Sequence, residues 1–394
     1  MSIGFTIGAV LIAAITLAAW RPPHRPRHLV RAGYFFGLAP NEIPQVWVLI
    51  LTASTVAAIA DDGLPTMLPG WVVLTMTVAT IVGLIGLSHR ALGTAPTLTE
   101  ALDEAGFDAG GVGRRPIWQI LLTPIPFRPR RVERIANISY GTGRRRRLDV
   151  YRSRSAITTS APVLVYFHGG GYFGGDKHRE ARLLLHRLAD QGWVCVSAGY
   201  RVQPEASFPE HLIDAKAAIG WVRDHAADYG ADPSTLVVAG SSAGAHLASL
   251  AALTPNESVF QPGFEDSDTA IRAVIGLYGY YGRYYGRGDN EFPASTPLAY
   301  DATDAPPFLL IDAGLDSQVP VAESRALADH LRDQSSNPVV RAELPGAQHG
   351  FDMFRSVRFD AVVDSIEAFL KGCRLGPPEI TLDVATDTPR GPDL

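Results

Sequence analysis

Among the 394 residues, Ser242 stands where a hydroxyl can be made reactive. It is the middle residue of Gly240-Ser241-Ser242-Ala243-Gly244, with the apolar run 236–239 ahead of it and a helix to about Leu253 predicted behind. So sharp a turn from strand to helix strains its central residue and leaves no room for Cβ atoms two positions to either side, which is why glycine is needed there. The spacing therefore selects Ser242 and not Ser241.

A serine hydroxyl is a weak nucleophile until a held imidazole takes its proton. Of eleven histidines, His349 lies in the glycine-flanked segment Gly346-Ala347-Gln348-His349-Gly350-Phe351, just past the last predicted strand and downstream of Ser242. His211, His225, His246 and His330 fall inside predicted helices and read as packing or surface residues. The carboxylate that orients the imidazole is expected between the two, after another strand. Leu309-Leu310-Ile311 leads into Asp312 and then Asp316. Asp316 is on the loop, in reach of an imidazole Nδ1, and Asp312 is left at the strand end as a structural acid. Serine, aspartate and histidine in that chain order are what a sheet-based acyl-transfer site uses.

Acyl transfer also needs N–H donors aimed at the developing oxyanion, each lowering the barrier by roughly 3 kcal/mol. His168-Gly169-Gly170-Gly171-Tyr172 follows the apolar run 162–167, and bare glycine backbone approaches such a charge closely. The amides of Gly169 and Gly170, with that of Ala243, are assigned to it. His168 reads as a residue that holds the loop.

Those side chains need a scaffold that brings them to one edge. Runs 132–140 and 145–151 flank the turn Gly141-Thr142-Gly143 as a hairpin, and short apolar runs follow at 162–167, 193–199, 236–239, 272–278, 307–312 and 338–344. Helices are predicted between them near 178–190, 209–227, 321–333 and 357–371. Short strands without alternation are buried on both faces, so the fold class is α/β, a mainly parallel central sheet flanked by helices.

Composition adds a second region. Hydrophobic residues are 46% of the chain and charged residues 19%, and the excess is concentrated at the amino-terminal end. Runs 3–20, 43–60 and 71–87 carry no charge, and as helices each spans about 26 Å, roughly one hydrocarbon core. Trp20, Trp47 and Trp71 lie near their ends, where amphipathic rings favour the interface. The connection between the first two runs holds Arg21, Arg25, Arg27 and Arg31, whereas 61–70 holds two aspartates and no base. By the positive-inside rule the arginine loop and everything after the third run are cytoplasmic, which makes this a multi-pass plasma-membrane protein. Only Lys177, Lys216 and Lys371 are lysines among 35 basic residues, as in a GC-rich bacterial genome. A net charge of −5 gives no field for nucleic acid, and Cys195 and Cys373 are too few for a disulfide framework or cysteine-held zinc.

Five ordered segments, HGGGY at 168–172, GYRVQPEASFP at 199–209, GSSAG at 240–244, GLDSQVP at 314–320 and QHGF at 348–351, resemble the hormone-sensitive-lipase-type esterases and lipases of the α/β-hydrolase fold. The resemblance covers about residues 130–372. It implies a serine carboxylesterase acting on small-molecule or lipid esters through an acyl-enzyme, with no metal or cofactor. Its nucleophile falls on Ser242, its acid on Asp316, its base on His349 and its oxyanion glycines on Gly169 and Gly170. Tyr200, Arg201, Pro204 and Glu205 match a structural buttress.

The chain then divides into a membrane region 1–90, a helical linker or arm 91–131 opened by a Thr97–Glu100 capping box, a catalytic α/β-hydrolase domain 132–374 and a loose tail 375–394. Segment 279–305 is expected to form a small lid, with Tyr172, Tyr280, Tyr281 and Tyr284 walling the acyl pocket, joined by Tyr285 and Phe292, and with Gly282 and Gly286 as flex points. Amidase, thioesterase or acetyltransferase chemistry on the same triad, or a non-catalytic receptor that keeps the fold, are the alternatives.

Overall fold

A computed structural model describes residues 2–23, 25–115, 117–155, 160–285, 288 and 292–376. The expected tail lies outside the described residues from 377 onward. Its first residue, Leu375, is buried with the sheet's own core and belongs to the domain.

The eight strands are β1 Val132–Ser139, β2 Arg147–Ser153, β3 Val163–Phe167, β4 Val194–Ala198, β5 Val237–Ser241, β6 Ala273–Leu277, β7 Phe308–Ala313 and β8 Val339–Leu344. They form one sheet in the order β1-β2-β4-β3-β5-β6-β7-β8. Only β2 runs against its neighbours, and from β4 to β8 every pairing is parallel. The helices are α1 Ile3–Trp20, α2 Arg27–Glu42, α3 Pro44–Asp62, α4 Leu68–Leu92, α5 Thr94–Glu104, α6 Ile117–Leu122, α7 Arg182–Asp190, α8 Glu210–His225, α9 Ala243–Leu253, α10 Val321–Gln334 and α11 Val357–Gly372.

Period-two alternation along β3 divides the core in two. Val163, Val165 and Phe167 face a layer holding Leu212 and Ile219 of α8 and Leu247 and Leu250 of α9. Leu164 and Tyr166 face a layer holding Leu184 and Leu188 of α7 and Phe359 and Phe369 of α11. Both faces of the parallel strands are thereby buried, as continuous apolar runs require.

Two expectations for the amino-terminal third are corrected. Residues 21–42 are not a plain loop, because α2 occupies most of them. No capping box forms at Thr97: Gly93 keeps helical backbone angles, α4 passes almost directly into α5, and the Thr97 hydroxyl donates to the Gly93 carbonyl at 3.0 Å. Within the 91–131 arm, Leu98, Leu102, Phe107 and Ala109 join the same apolar layer as α11. Short α6 buries Ile120 and leaves Trp118 and Leu122 exposed.

Helices α1, α3 and α4 are long and apolar enough to cross a membrane by length and composition. They pack on one another through Ala19, Leu51, Leu84 and Leu87.

Candidate active site

Strand β5 ends at Ser241, and the next residue, Ser242, has φ 54° and ψ −118°. That positive φ costs a side-chain-bearing residue roughly 1–3 kcal/mol. The turn is tight enough that a Cβ on Gly240 would strike the Gly244 backbone, and one on Gly244 would strike the backbone of Phe167 and His168. The fold thus requires both glycines of the motif. Ser242 N–H donates to the Leu277 carbonyl at 2.9 Å, which ties the turn to β6.

The loop after β8 carries His349 to this turn. Its Nε2 is 2.9 Å from Ser242 Oγ, and its Nδ1 is 2.7 Å from Asp316 Oδ2 on the loop after β7. Asp316 is held in turn, its Oδ1 accepting from the Gln318 and Val319 amides at 2.7 and 2.9 Å. Burial disfavours the charged imidazole, but the bonded Asp316 carboxylate, with Glu180 and Asp352 nearby, outweighs it and holds the His349 pKa above its ordinary value. Asp312 stays at the strand end in an ion pair with Arg341 at 2.8 Å, and burial pushes its carboxyl up to about 6. Ser241 is buried, accepts from Tyr166 Oη at 2.9 Å and donates to Asp352 Oδ2 at 2.7 Å, so it faces away from His349.

The glycine-rich loop passes over Ser242 with one change from expectation. Gly169 N–H is spent on the buried Glu180 carboxylate at 2.5 Å, so it is not available to an oxyanion. Among the described residues the amides of Gly170, Gly171 and Ala243 make no hydrogen bond, which moves the candidate set along by one glycine. His168 acts as a brace: its Nδ1 sits 2.7 Å from the Gly169 carbonyl, its ring stacks on Tyr200 at 4.4 Å, and Tyr200 Oη donates to its carbonyl at 2.7 Å. Arg201 is fixed by Asp214, and Gln203 N–H bonds the Tyr172 carbonyl, so the 199–209 segment buttresses the loop.

The tyrosines expected to wall a pocket mostly fill the core. Tyr172 is buried, with its hydroxyl 2.5 Å from His246 Nδ1 and 3.2 Å from the Ala243 carbonyl. Tyr284 packs on Tyr172 and His211, and Tyr281 sits below β6, where a Cβ on Gly276 or Gly279 would strike its ring. Tyr280 is only half-buried, and its amide bonds the Ser242 carbonyl at 3.3 Å. Tyr285 is exposed at the edge of the glycine-rich loop. Gly286 lies outside the described residues. A cavity of about 590 Å³ opens behind the loop, lined by Arg144, Arg145, Arg147, Lys177 and His178 and not by Ser242.

Three residues near the site carry no signal in the motifs. Glu180 holds Gly169, Asp352 accepts from Ser241 and from Tyr278 at 2.5 Å, and Tyr34 of α2 stands edge-on to His349 with ring centroids 5.9 Å apart. Asp352, three residues after His349, is within reach of a closer reading; Tyr34, from a different region, is not.

A strained serine after a parallel strand, a histidine and aspartate on later loops and a glycine-rich turn over them define an α/β-hydrolase of the esterase/lipase class. The BD-FAE family profile matches residues 148–285. The probable carboxylic ester hydrolase LipM of Mycobacterium tuberculosis is 36% identical over 411 residues, covering 92% of this chain and 93% of that one. Esterase LipQ of the same organism is 38% identical over 258 residues, 60% of this chain and 61% of its own. Thermogutta terrifontis esterase 2 shares the fold, with a TM-score of 0.55 at 24% identity over 64% of this chain and 97% of that chain. The chain belongs to the carboxylic ester hydrolase family that includes LipM, and it is a carboxylesterase.

Proposed function

We propose that this esterase is anchored in a membrane by α1, α3 and α4 and works through Ser242, His349 and Asp316 by way of an acyl-enzyme. The observation that carries the reading is the unbroken relay from Ser242 Oγ through both imidazole nitrogens to Asp316. His349 Nε2 takes the Ser242 proton as Oγ attacks the ester carbonyl, and Asp316 holds the imidazole and steadies its charge. The oxyanion is met by the amides of Gly170, Gly171 and Ala243. His349 returns the proton to the leaving alcohol, and a water deprotonated by the same imidazole frees the acid.

Anchoring is supported by what the amino-terminal helices leave uncovered. Ile3, Leu11 and Leu17 of α1, Leu49 and Val56 of α3 and Val72 and Val82 of α4 are exposed, an apolar surface too extensive for water. Loop charge supports a cytoplasmic catalytic domain. A fluorophosphonate probe with p-nitrophenyl acetate turnover tests the triad. Ser242→Ala loses labelling and turnover and still sediments with membranes, whereas Ser241→Ala keeps its label. Labelling that survives in Ser242→Ala moves the nucleophile elsewhere. Reporters fused at each terminus test sidedness.

A further inference from the structure

The amino-terminal helices meet the catalytic domain at the rim that holds the triad. Gln348, next to His349, donates its Nε2 to the Ala19 carbonyl of α1 at 3.0 Å. The chain then runs along α2 before Ile43 leads straight into Pro44 of α3. The inner face of α2 touches the histidine loop. Beside the edge-on contact of Tyr34 with His349, a Cβ placed on Gly350 would meet Tyr34 Oη at 3.1 Å and Leu38 Cδ2 at 3.4 Å. Asn41 Nδ2 donates to the Gly346 carbonyl at 3.1 Å. This helix is a wall of the site contributed by the membrane region.

The other side of α2 exposes large apolar side chains. Leu29 and Phe36, seven residues apart and so on one side of the helix, are 46% and 64% exposed, and neighbouring Phe35 is 70% exposed. Beside the glycine-rich loop, Phe173 and Tyr285 are exposed with rings 5.8 Å apart, and Tyr285 Oη lies 3.8 Å from the Cβ position of Gly171. Single exposed aromatics need no explanation, but Phe35 and Phe36 lie on the helix that joins two apolar helices and touches the His349 loop, and Phe173 and Tyr285 lie beside the glycine-rich loop over Ser242. Arg21 and Arg25, exposed ahead of α2, and Arg31, exposed within it one turn before Phe35, place cations where they meet anionic headgroups.

We infer that α2 lies in the headgroup layer with Leu29, Phe35 and Phe36 dipping into the acyl chains, and that the site draws its substrate from the bilayer. The substrate class is a membrane-resident acyl ester whose carbonyl reaches Ser242 between α2 and the Phe173–Tyr285 edge. The inference rests on the reading of α1, α3 and α4 as spans and of Ser242 as nucleophile. A long acyl chain entering there never crosses water, so the hydrophobic cost of extracting it is avoided. A short soluble ester has no need of that route.

The test uses the full chain in vesicles of phosphatidylethanolamine and phosphatidylglycerol, with dioleoylglycerol in the bilayer and p-nitrophenyl acetate in the water. Phe35→Ser combined with Phe36→Ser should lower dioleoylglycerol hydrolysis by about tenfold or more while acetate turnover stays within about twofold. Phe35→Leu with Phe36→Leu, which keeps the face apolar, should retain both rates. Undiminished dioleoylglycerol hydrolysis in the serine pair, or equal loss of both rates, overturns the inference. A wild-type chain that cleaves only the soluble ester overturns the bilayer substrate and leaves the triad standing. One that cleaves neither ester and takes no fluorophosphonate label overturns the triad reading beneath it.

Discussion

Arg358 of α11 and Glu42 at the end of α2 form an ion pair in which neither side chain has any solvent exposure, with Nε and Oε1 3.0 Å apart. Ser356 Oγ donates to the other Glu42 oxygen at 2.8 Å, and Arg358 Nη1 reaches the Pro345 carbonyl at 2.9 Å. The same arginine therefore fastens α2 and the strand-to-histidine turn.

Removing one partner of such a pair strands a buried charge, which costs about 3–5 kcal/mol. Glu42→Ala is expected to lower the thermal midpoint markedly in detergent and to depress p-nitrophenyl acetate turnover, because Gly346 to His349 lose their support. Arg325→Ala, which breaks an exposed pair with Glu343, is the control and should change the midpoint little.

The base must be neutral to act, and His349 is held above its ordinary value of 6.5. Turnover of p-nitrophenyl acetate should accordingly rise with pH through a midpoint above 6.5. Asp316→Asn removes the largest of the charges that raise the His349 pKa and leaves burial opposed only by Glu180 and Asp352, so the ascending limb moves to lower pH while kcat falls by up to about 10⁴-fold. For stability the sign is opposite. A folded pKa above the unfolded one adds stability that is fully present below the unfolded value and is lost as pH rises through the folded one.

Gly244→Ala is expected to abolish folding rather than merely activity. Its Cβ would land on the backbone of Phe167 and His168, which belong to the sheet centre and cannot yield, at a cost beyond about 3 kcal/mol. Gly111, exposed with open space at its Cβ position, accepts alanine without consequence. The yield of each variant in the detergent extract, compared with the unmodified chain, separates the cases.

The parts of the site that could be read in the sequence are those whose constraint is local. Ser242 is marked by glycines that the turn itself demands, and His349 and Asp316 by loops directly after apolar strands. Each reading needed only a few adjacent residues. The sequence points to Gly169 and Gly170 as oxyanion donors, but whether the Gly169 amide is free depends on Glu180, eleven residues along, whose carboxylate accepts from it in the folded loop. Tyr280, Tyr281 and Tyr284 read from sequence as a pocket wall because an irregular segment has no periodicity to tell an inward ring from an outward one. Helix α2 carries a weak local signal: Pro26 precedes its first turn, where a missing N–H costs nothing, but Pro40 lies inside the last turn and removes the N–H that would bond the Phe36 carbonyl, so contacts of Asn41 and Glu42 with the catalytic domain hold that end. Its apposition to His349 links residues more than three hundred positions apart, and nothing local encodes it.

Glu180 is the residue whose substitution separates loop geometry from electrostatics. Its carboxylate accepts from Gly169 N–H, pairs with Arg179 and is one of the charges that raise the His349 pKa. Glu180→Gln keeps an oxygen for the Gly169 amide but removes the charge, so kcat at high pH should change little while the ascending limb of the pH profile shifts toward acid. Glu180→Ala removes both, freeing the Gly169 amide inside a buried site and loosening the loop that presents Gly170 and Gly171. There kcat should fall by about 10- to 100-fold with KM nearly constant, since the lost interaction is made only in the transition state. Equal kcat values for the glutamine and alanine variants would mean that Glu180 acts on His349 alone and not through the glycine-rich loop.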